Sequence, residues 1–358
     1  MFEANVSTFL SNSKQEPDIE VEIRFKDRNF ANMPRSKFNK VVDKFETMSG
    51  YESVPVQNIT STTYSSKSNK RYQVRKDEIR GKLPVVIQKS KLKVTDLTEY
   101  NIRLAESVER KIAIKPQQLS REFMVQNVRY KQRKTFIHNS KQFRIDLTIV
   151  SMNNVKQYEV ELEMLETNPS RGLIQNVNKA MLDILCTIQE SKQLSTNTFM
   201  KGLMKDYASL LNDKFPTFVG PLPYTLSSAE FDEGKLSCGY SVTDKADGMR
   251  YLLCVNSKHH AFFLGRSTAK DLLSHTVYIG VCTGLPANSI VDGELVGKKF
   301  YIFDCLVMSG ESVRNLNLMQ RLSKAKIFAK SNTASSSVKN VDSSNLHSGY
   351  KVLMKKFY

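Results

Sequence analysis

Two seven-residue segments constrain this chain more than any other feature: IEVEIRF at 19–25 and YEVELEM at 158–164. Side chains alternate across a strand, so Glu20, Glu22 and Arg24 share one face while Ile19, Val21, Ile23 and Phe25 take the other. The second segment repeats the plan, with Glu159, Glu161 and Glu163 opposed to Tyr158, Val160, Leu162 and Met164. An antiparallel sheet with one wet face gives the same alternation. Solvated faces mix their signs, however, because neighbouring like charges repel. Three glutamates in a row are better explained by a cation that neutralises them, and ligands made only of oxygen point to Mg²⁺ or Mn²⁺ rather than zinc.

The segments between carry the opposite sign. Positions 110–145 hold ten Lys or Arg and one acid, and positions 67–93 hold another ten with only Asp77 and Glu78. Within them Arg129, Lys131 and Arg133 share a strand face, as do Arg144, Asp146 and Thr148. Further strand-like runs fall at 71–76, 128–133 and 143–150. Helical spacing is confined to 37–48, where Phe38, Val41, Val42 and Phe45 align. Acidic strands that hold a metal and face basic strands suit hydrolysis of a triphosphate end. The cations draw charge from the γ-phosphate and a carboxylate positions the attacking water. Polar faces turned inward would close the strands into a barrel with a charged lumen.

The pair of E-x-E strands, about 140 residues apart with basic strands between them, resembles the triphosphate tunnel metalloenzymes. More narrowly, IEVEIRF, NIRLAESVERKI, FRIDLTIV and YEVELEM resemble the triphosphatase domain in capping enzymes of large cytoplasmic DNA viruses. The resemblance covers residues 18–165. It implies metal binding by Glu20, Glu22, Glu161 and Glu163, with Glu159 a looser match, and phosphate binding by Arg129, Lys131, Arg133 and Arg144, with Arg75 and Arg103 behind them.

Beyond 164 the pattern changes. Asn168-Pro169-Ser170 breaks the strands, and Ile174, Val177, Met181, Leu182, Leu185 and Ile188 then follow helical spacing, with a second helix over 198–211. Three prolines and a glycine at 215–223 mark a boundary between domains 1–215 and 216–358. Strands are expected at 239–255, 261–267, 289–297 and 299–307, a helix at 316–330, and a Ser/Asn-rich linker at 331–345.

In this half Lys245-Ala246-Asp247-Gly248 sits between strand-like runs. A deprotonated lysine can attack the α-phosphorus of a nucleoside triphosphate and form a phosphoramidate. A charged hairpin turn also yields K-x-D-G by chance. Its company is more informative: Arg250, Arg266 after FFLG, and Asp292-Gly293-Glu294 ahead of FYIFD. That order resembles the covalent nucleotidyltransferase superfamily, and SVTDKADGMRYLL looks closest to its viral mRNA guanylyltransferases. The resemblance implies Lys245 as the GMP-accepting nucleophile, with Asp247, Arg250, Arg266 and Glu294 at the nucleotide and Asp304 as either a structural or a metal-side acid. Such enzymes continue with an E-G-[LIV] strand, a K-x-K strand and an OB-fold, whereas VLMKKFY at 352–358 resembles the segment just before them. The expected fold class is therefore α+β: an antiparallel triphosphate-tunnel barrel, then a partial nucleotidyltransferase domain without its last strands and OB-fold.

The totals agree with that reading. A net charge of +17 suits a polyanionic partner, though a lysine-rich surface alone also accounts for it. The five scattered cysteines form no C-x-x-C pair, which argues against structural zinc and for reduced intracellular thiols. Neither a signal peptide nor a membrane span is legible, so a cytoplasmic protein with no membrane contact is expected, in a viral factory or virion by the resemblance. The expected partners are 5′-triphosphate RNA, GTP and a second chain that brings the remaining strands, OB-fold and methyltransferase. Two alternatives stand beside capping: an ATP-dependent ligase acting through Lys245, and a non-catalytic RNA-binding subunit of a split capping enzyme.

Overall fold

The computed structural model describes residues 2–11, 13, 18–65, 71–77, 84–166, 170–214, 216–222, 224–225, 227–229, 240–267, 272–331 and 349–358. Eight antiparallel strands make up most of the first half: β1 (Ile19–Phe25), β2 (Tyr51–Ser65), β3 (Arg71–Asp77), β4 (Val85–Leu97), β5 (Ile102–Lys111), β6 (Met124–His138), β7 (Phe143–Met152) and β8 (Val155–Met164). They close into a barrel in the order β1-β5-β4-β3-β2-β6-β7-β8, with β8 pairing back onto β1. The glutamate strands are thus neighbours, and their register sets Glu22 opposite Glu163 and Arg24 opposite Glu161. On the other side of β8, Glu163 faces Arg144 and Glu161 faces Asp146.

Alternation decides which way each strand faces. Val21, Ile23, Ile145 and Leu162 are buried on the outer face, where each contributes about 1.5–3 kcal/mol relative to exposure. Part of their cover is α2 (Arg35–Thr47), whose Phe38, Val41 and Phe45 are buried. The Phe38 ring lies 5.2 Å from Tyr158 and the Phe45 ring 6.0 Å from Phe136. A short helix, α1 (Phe2–Ser11), precedes the barrel, and α3 (Pro116–Glu122) puts Leu119 into a small cluster with Tyr64, Tyr72 and Val86. Along β2 and β4 the outer face is largely uncovered. The helix that follows the barrel, α4 (Arg171–Gln189), buries Leu173, Val177, Ala180, Met181, Ile184, Leu185 and Ile188. Its apolar stripe is rotated from the expected one, since Leu182 is exposed and Leu173, Ala180 and Ile184 take the inner positions.

The chain divides into two compact units, 1–188 and 189–358. The division lies ahead of the expected 215/216 boundary because α5 (Asn197–Leu211) belongs to the second core. Its Met200, Leu203, Tyr207 and Leu211 pack with Leu252, Cys254, Phe262, Leu264 and Ile290. Thr196 caps this helix, accepting from Phe199 N at 3.1 Å. The second unit is a seven-stranded sheet in the order β11-β10-β9-β12-β13-β14, with the seventh strand, β15, parallel to β13. The strands are β9 (Met249–Val255), β10 (His260–Gly265), β11 (Thr276–Val281), β12 (Ser289–Val296), β13 (Lys299–Met308), β14 (Glu311–Ser312) and β15 (Lys351–Met354). A second cluster joins the sheet to α6 (Leu318–Ser331) through Ala325, Phe328 and Ala329, packed with Val291, Phe300 and Cys305. Strand β9 starts at Met249 rather than near 239, and within 240–248 the only strand-like contact is the Thr243–Phe357 bridge. Asn168, Pro169 and nearly all of the 331–345 linker lie outside the described residues. Among those described, no helix is long and apolar enough to cross a membrane.

Candidate active site

The barrel lumen is a cavity of about 560 Å³. Its lining holds nine Lys or Arg and six Glu, an excess of positive charge. Glu20, Glu22, Glu159, Glu161 and Glu163 all reach it, as do Arg75, Arg103, Arg129, Lys131 and Arg133. Arg144 does not line it. Its guanidinium joins Asp146 (3.1 Å) and the lumen carboxylate of Glu163 (2.8 Å). Arg103 lies at the rim with its fork on Asp96 at 2.7 and 2.9 Å.

The acidic strands form one wall. Arg24 Nη2 stands 2.6 Å from both Glu22 Oε1 and Glu161 Oε1, so two carboxylate oxygens converge on a single positive centre. Burial, and then the negative charge of Glu161, push Glu22 up to about 8, despite Arg24. Burial also raises Glu163 to about 7, with Glu20 and Asp146 adding to the shift and Arg144 opposing it. Glu161 goes the other way: its burial is overcome by Arg24, Arg133 and Lys131, which hold it at about 2. Two lumen atoms, Arg24 Nε and Asn127 Oδ1, are buried without a hydrogen-bond partner. Buried polar atoms are seldom left so. Carboxylates crowded until they favour the neutral form have the chemistry of a site for a hard divalent cation, which would take only oxygen ligands. No group of three or more His, Cys, Asp or Glu among the described residues is already drawn together as a metal cage.

The cationic wall has the mirror-image strain. Burial and the adjacent Arg129 and Arg133 lower Lys131 to about 8. Arg129 Nη2 donates to Glu159 Oε1 at 2.5 Å, and Arg133 bonds Asp146 at 3.0 Å. Asp146 is buried and also accepts from Thr135 Oγ1 at 2.6 Å, so it fixes Arg133 and Arg144 together. A further network runs from Arg75 through Glu109 (2.8 Å) to Lys89 and on to Glu20, which also accepts from Ser107 Oγ at 3.1 Å. Lys89, Ser107, Glu109 and Arg24 were not singled out from the sequence as site residues. The basic composition of 67–93 contained the signal for Lys89 but not its register.

In the second unit the structure brings Lys245, Asp247, Gly248 and Glu294 together. Lys245 pairs with Asp247, and Gly248 N donates to Glu294 Oε1 at 3.1 Å. Gly248 has no room for a side chain, since a Cβ there would lie 2.6 Å from Leu295 O. The hydrogen bond that Lys245 donates to Asp247 moves its exposed ammonium's pKa upward, away from the deprotonated state a nucleophile needs. Arg250 grips buried Asp292 through two bonds of 3.0 and 2.6 Å, between the rings of Phe218 and Phe303. Arg266 is exposed just past β10. Asp304 is structural: Arg321 forks onto it at 2.7 and 3.0 Å.

Comparison with known proteins adds the following. Residues 186–358 match the family model for the catalytic domain of mRNA capping enzyme. The protein named "Probable mRNA-capping enzyme" from Acanthamoeba polyphaga mimivirus is 26% identical over 199 residues, 52% of this chain but only 16% of that protein. The chain thus spans a small part of the curated relative it matches. Among solved structures, the RNA triphosphatase domain of a trifunctional mimivirus capping enzyme aligns at 18% identity and TM-score 0.39, over 52% of this chain and 97% of that one. An RNA triphosphatase from S. pombe aligns at 13% identity and TM-score 0.40, over 52% and 91%. Likeness this distant does not bear on the chemistry.

Proposed function

We propose that this chain acts in mRNA 5′-cap formation: the barrel removes the γ-phosphate of 5′-triphosphate RNA with Mg²⁺ or Mn²⁺, and the second unit takes GMP from GTP onto Lys245. The observation that carries the first half is the pairing of two strained walls in one lumen. Glu22 and Glu163 are pushed toward neutrality by crowded negative charge and burial, and Lys131 by burial and crowded positive charge. A triphosphate accompanied by a divalent cation relieves both at once. Glu22 and Glu161 would hold the cation, with Glu20, Glu159 and Glu163 beside them, and it would supply Lewis-acid polarisation of the γ-phosphoryl oxygens. Arg129, Lys131 and Arg133 would bind the phosphate oxygens, with Arg75 on the adjoining wall. A lumen glutamate would orient water for in-line attack on the γ-phosphorus; the bond to the bridging oxygen breaks, leaving inorganic phosphate and a diphosphate end.

The family match over 186–358 and the Lys245–Glu294 constellation support the second half. Lys245 Nζ would attack the α-phosphorus and expel pyrophosphate. Its raised pKa and exposure favour the alternative of a non-catalytic RNA-binding unit enough to require a direct test. The experiment incubates the chain with Mg²⁺ or Mn²⁺ and either γ-labelled triphosphate RNA or α-labelled GTP. Phosphate release abolished by EDTA supports the first half, and label on the denatured chain, lost on Lys245→Ala, supports the second. Release that survives EDTA contradicts metal dependence, and unlabelled protein favours the binding subunit.

A further inference from the structure

The geometry points to a second anion site, outside the barrel, that holds the phosphodiester backbone of single-stranded RNA beside the Lys245 turn. A cavity of about 380 Å³ opens where the β12–β13 hairpin meets the start of β15. Its charged lining consists of Lys298, Lys299 and Lys351, with Tyr301 contributing a phenol and no acid present. The backbone forces these lysines together. Lys351 N donates to Lys298 O at 2.8 Å, so β15 is clamped to the hairpin turn. Parallel pairing then sets Lys299 directly beside Lys351. Lys298 Nζ completes the group, 3.8 Å from where a Cβ on Gly349 would stand. Like charges in adjacent register destabilise a sheet, and none of the three has an ion-pair partner among the described residues. An anion is the missing counter-charge.

The choice of RNA follows from position. Val296, which lines this cavity, also walls in the turn: a Cβ on Gly248 would lie 2.8 Å from Val296 Cγ2. Tyr301 pairs with Glu294, whose carboxylate accepts from Gly248 N. The basic cavity and the Lys245-Ala246-Asp247-Gly248 turn are thus opposite sides of one short stretch of β12. A strand whose phosphates sit on Lys298, Lys299 and Lys351 has its adjoining nucleotides within reach of that turn. The inference rests on the capping reading only for naming the strand as RNA.

The test uses the full chain and 5′-hydroxyl single-stranded RNA, which offers no γ-phosphate to the barrel, so its outcome is independent of triphosphatase activity. Amine acetylation followed by mass spectrometry should show Lys298, Lys299 and Lys351 protected by this RNA. The salt dependence of binding should flatten by about 2 in slope for the K298S/K299S/K351S variant, at roughly 0.7 per phosphate contact on a single strand. A charge-matched K201S/K205S/K326S variant on exposed helix positions should leave the slope nearly unchanged. Equal flattening by both variants would reduce the site to the general positive field and overturn the inference. So would protection by an acidic phosphopeptide but not by RNA, or no protection by either.

Discussion

Replacing Glu163 with Gln should stabilise the barrel at alkaline pH. Glu163 stands opposite Glu22, only 19% of its side chain is exposed, and burial raises it from an ordinary 4.5 to about 7, with Arg144 offsetting part of the effect. A carboxyl raised on folding contributes stability that is complete below about pH 4.5 and lost as pH climbs through 7. Between pH 5 and pH 8.5 the shift corresponds to about 2.5 kcal/mol, or just under 100-fold in the opening equilibrium. Gln keeps the shape and hydrogen-bonding capacity without the charge. Hydrogen exchange of peptides spanning β7 and β8, measured in EDTA and corrected for intrinsic rates, reads this directly. Protection in the native chain should fall relative to the Gln variant by about two orders of magnitude from pH 5 to pH 8.5. Parallel pH dependence in the two proteins, or a variant less protected at pH 8.5, would refute the claim that this wall is strained by its own charge.

Other outcomes follow from the same geometry. Because burial with Arg129 and Arg133 lowers Lys131 to about 8, its charge is lost as pH rises through that value; KM for triphosphate RNA should therefore climb about tenfold above it. Lys131→Arg should remove that climb in a pH series. Arg321→Ala leaves buried Asp304 without its fork and should cost about 3 kcal/mol in urea denaturation of the second unit. Gly220→Ala should abolish GMP labelling while sparing phosphate release, because its Cβ would lie 2.5 Å from Asp292 Oδ2 and 2.7 Å from Arg250 Nη2.

Much of the barrel was legible because its buried strands carry two signals at once, apolar outside and charged inside. Strands β1, β7 and β8 have both, and they appear where alternation put them. Strands β2 and β4 lack the outer signal. Residues such as Val56 and Leu92 are exposed, and the lumen side of β2 is largely Thr and Ser, so periodicity had little to detect. The acidic residues were readable one strand at a time. The cross-strand opposition of Glu22 to Glu163, and the bridge from Arg24 to Glu161, depend on register, which no single segment encodes. In the second unit, Pro and Gly at 215–223 suggested a boundary, but tertiary packing of α5 against β9 and β10 moved it upstream.

The central claim is that Glu22 and Glu161 together hold the cation that activates a triphosphate. The most direct measurement is initial-rate release of γ-phosphate from 5′-triphosphate RNA across a Mn²⁺ titration, for the unaltered chain and for Glu22→Ala, Glu161→Ala and Lys245→Ala. The expected result is saturable, metal-dependent release that falls by at least about a thousandfold in either glutamate variant, a loss of roughly 4 kcal/mol in transition-state stabilisation, and is unchanged by Lys245→Ala. Release that persists near the original rate in both glutamate variants, or that needs Lys245, would contradict the account.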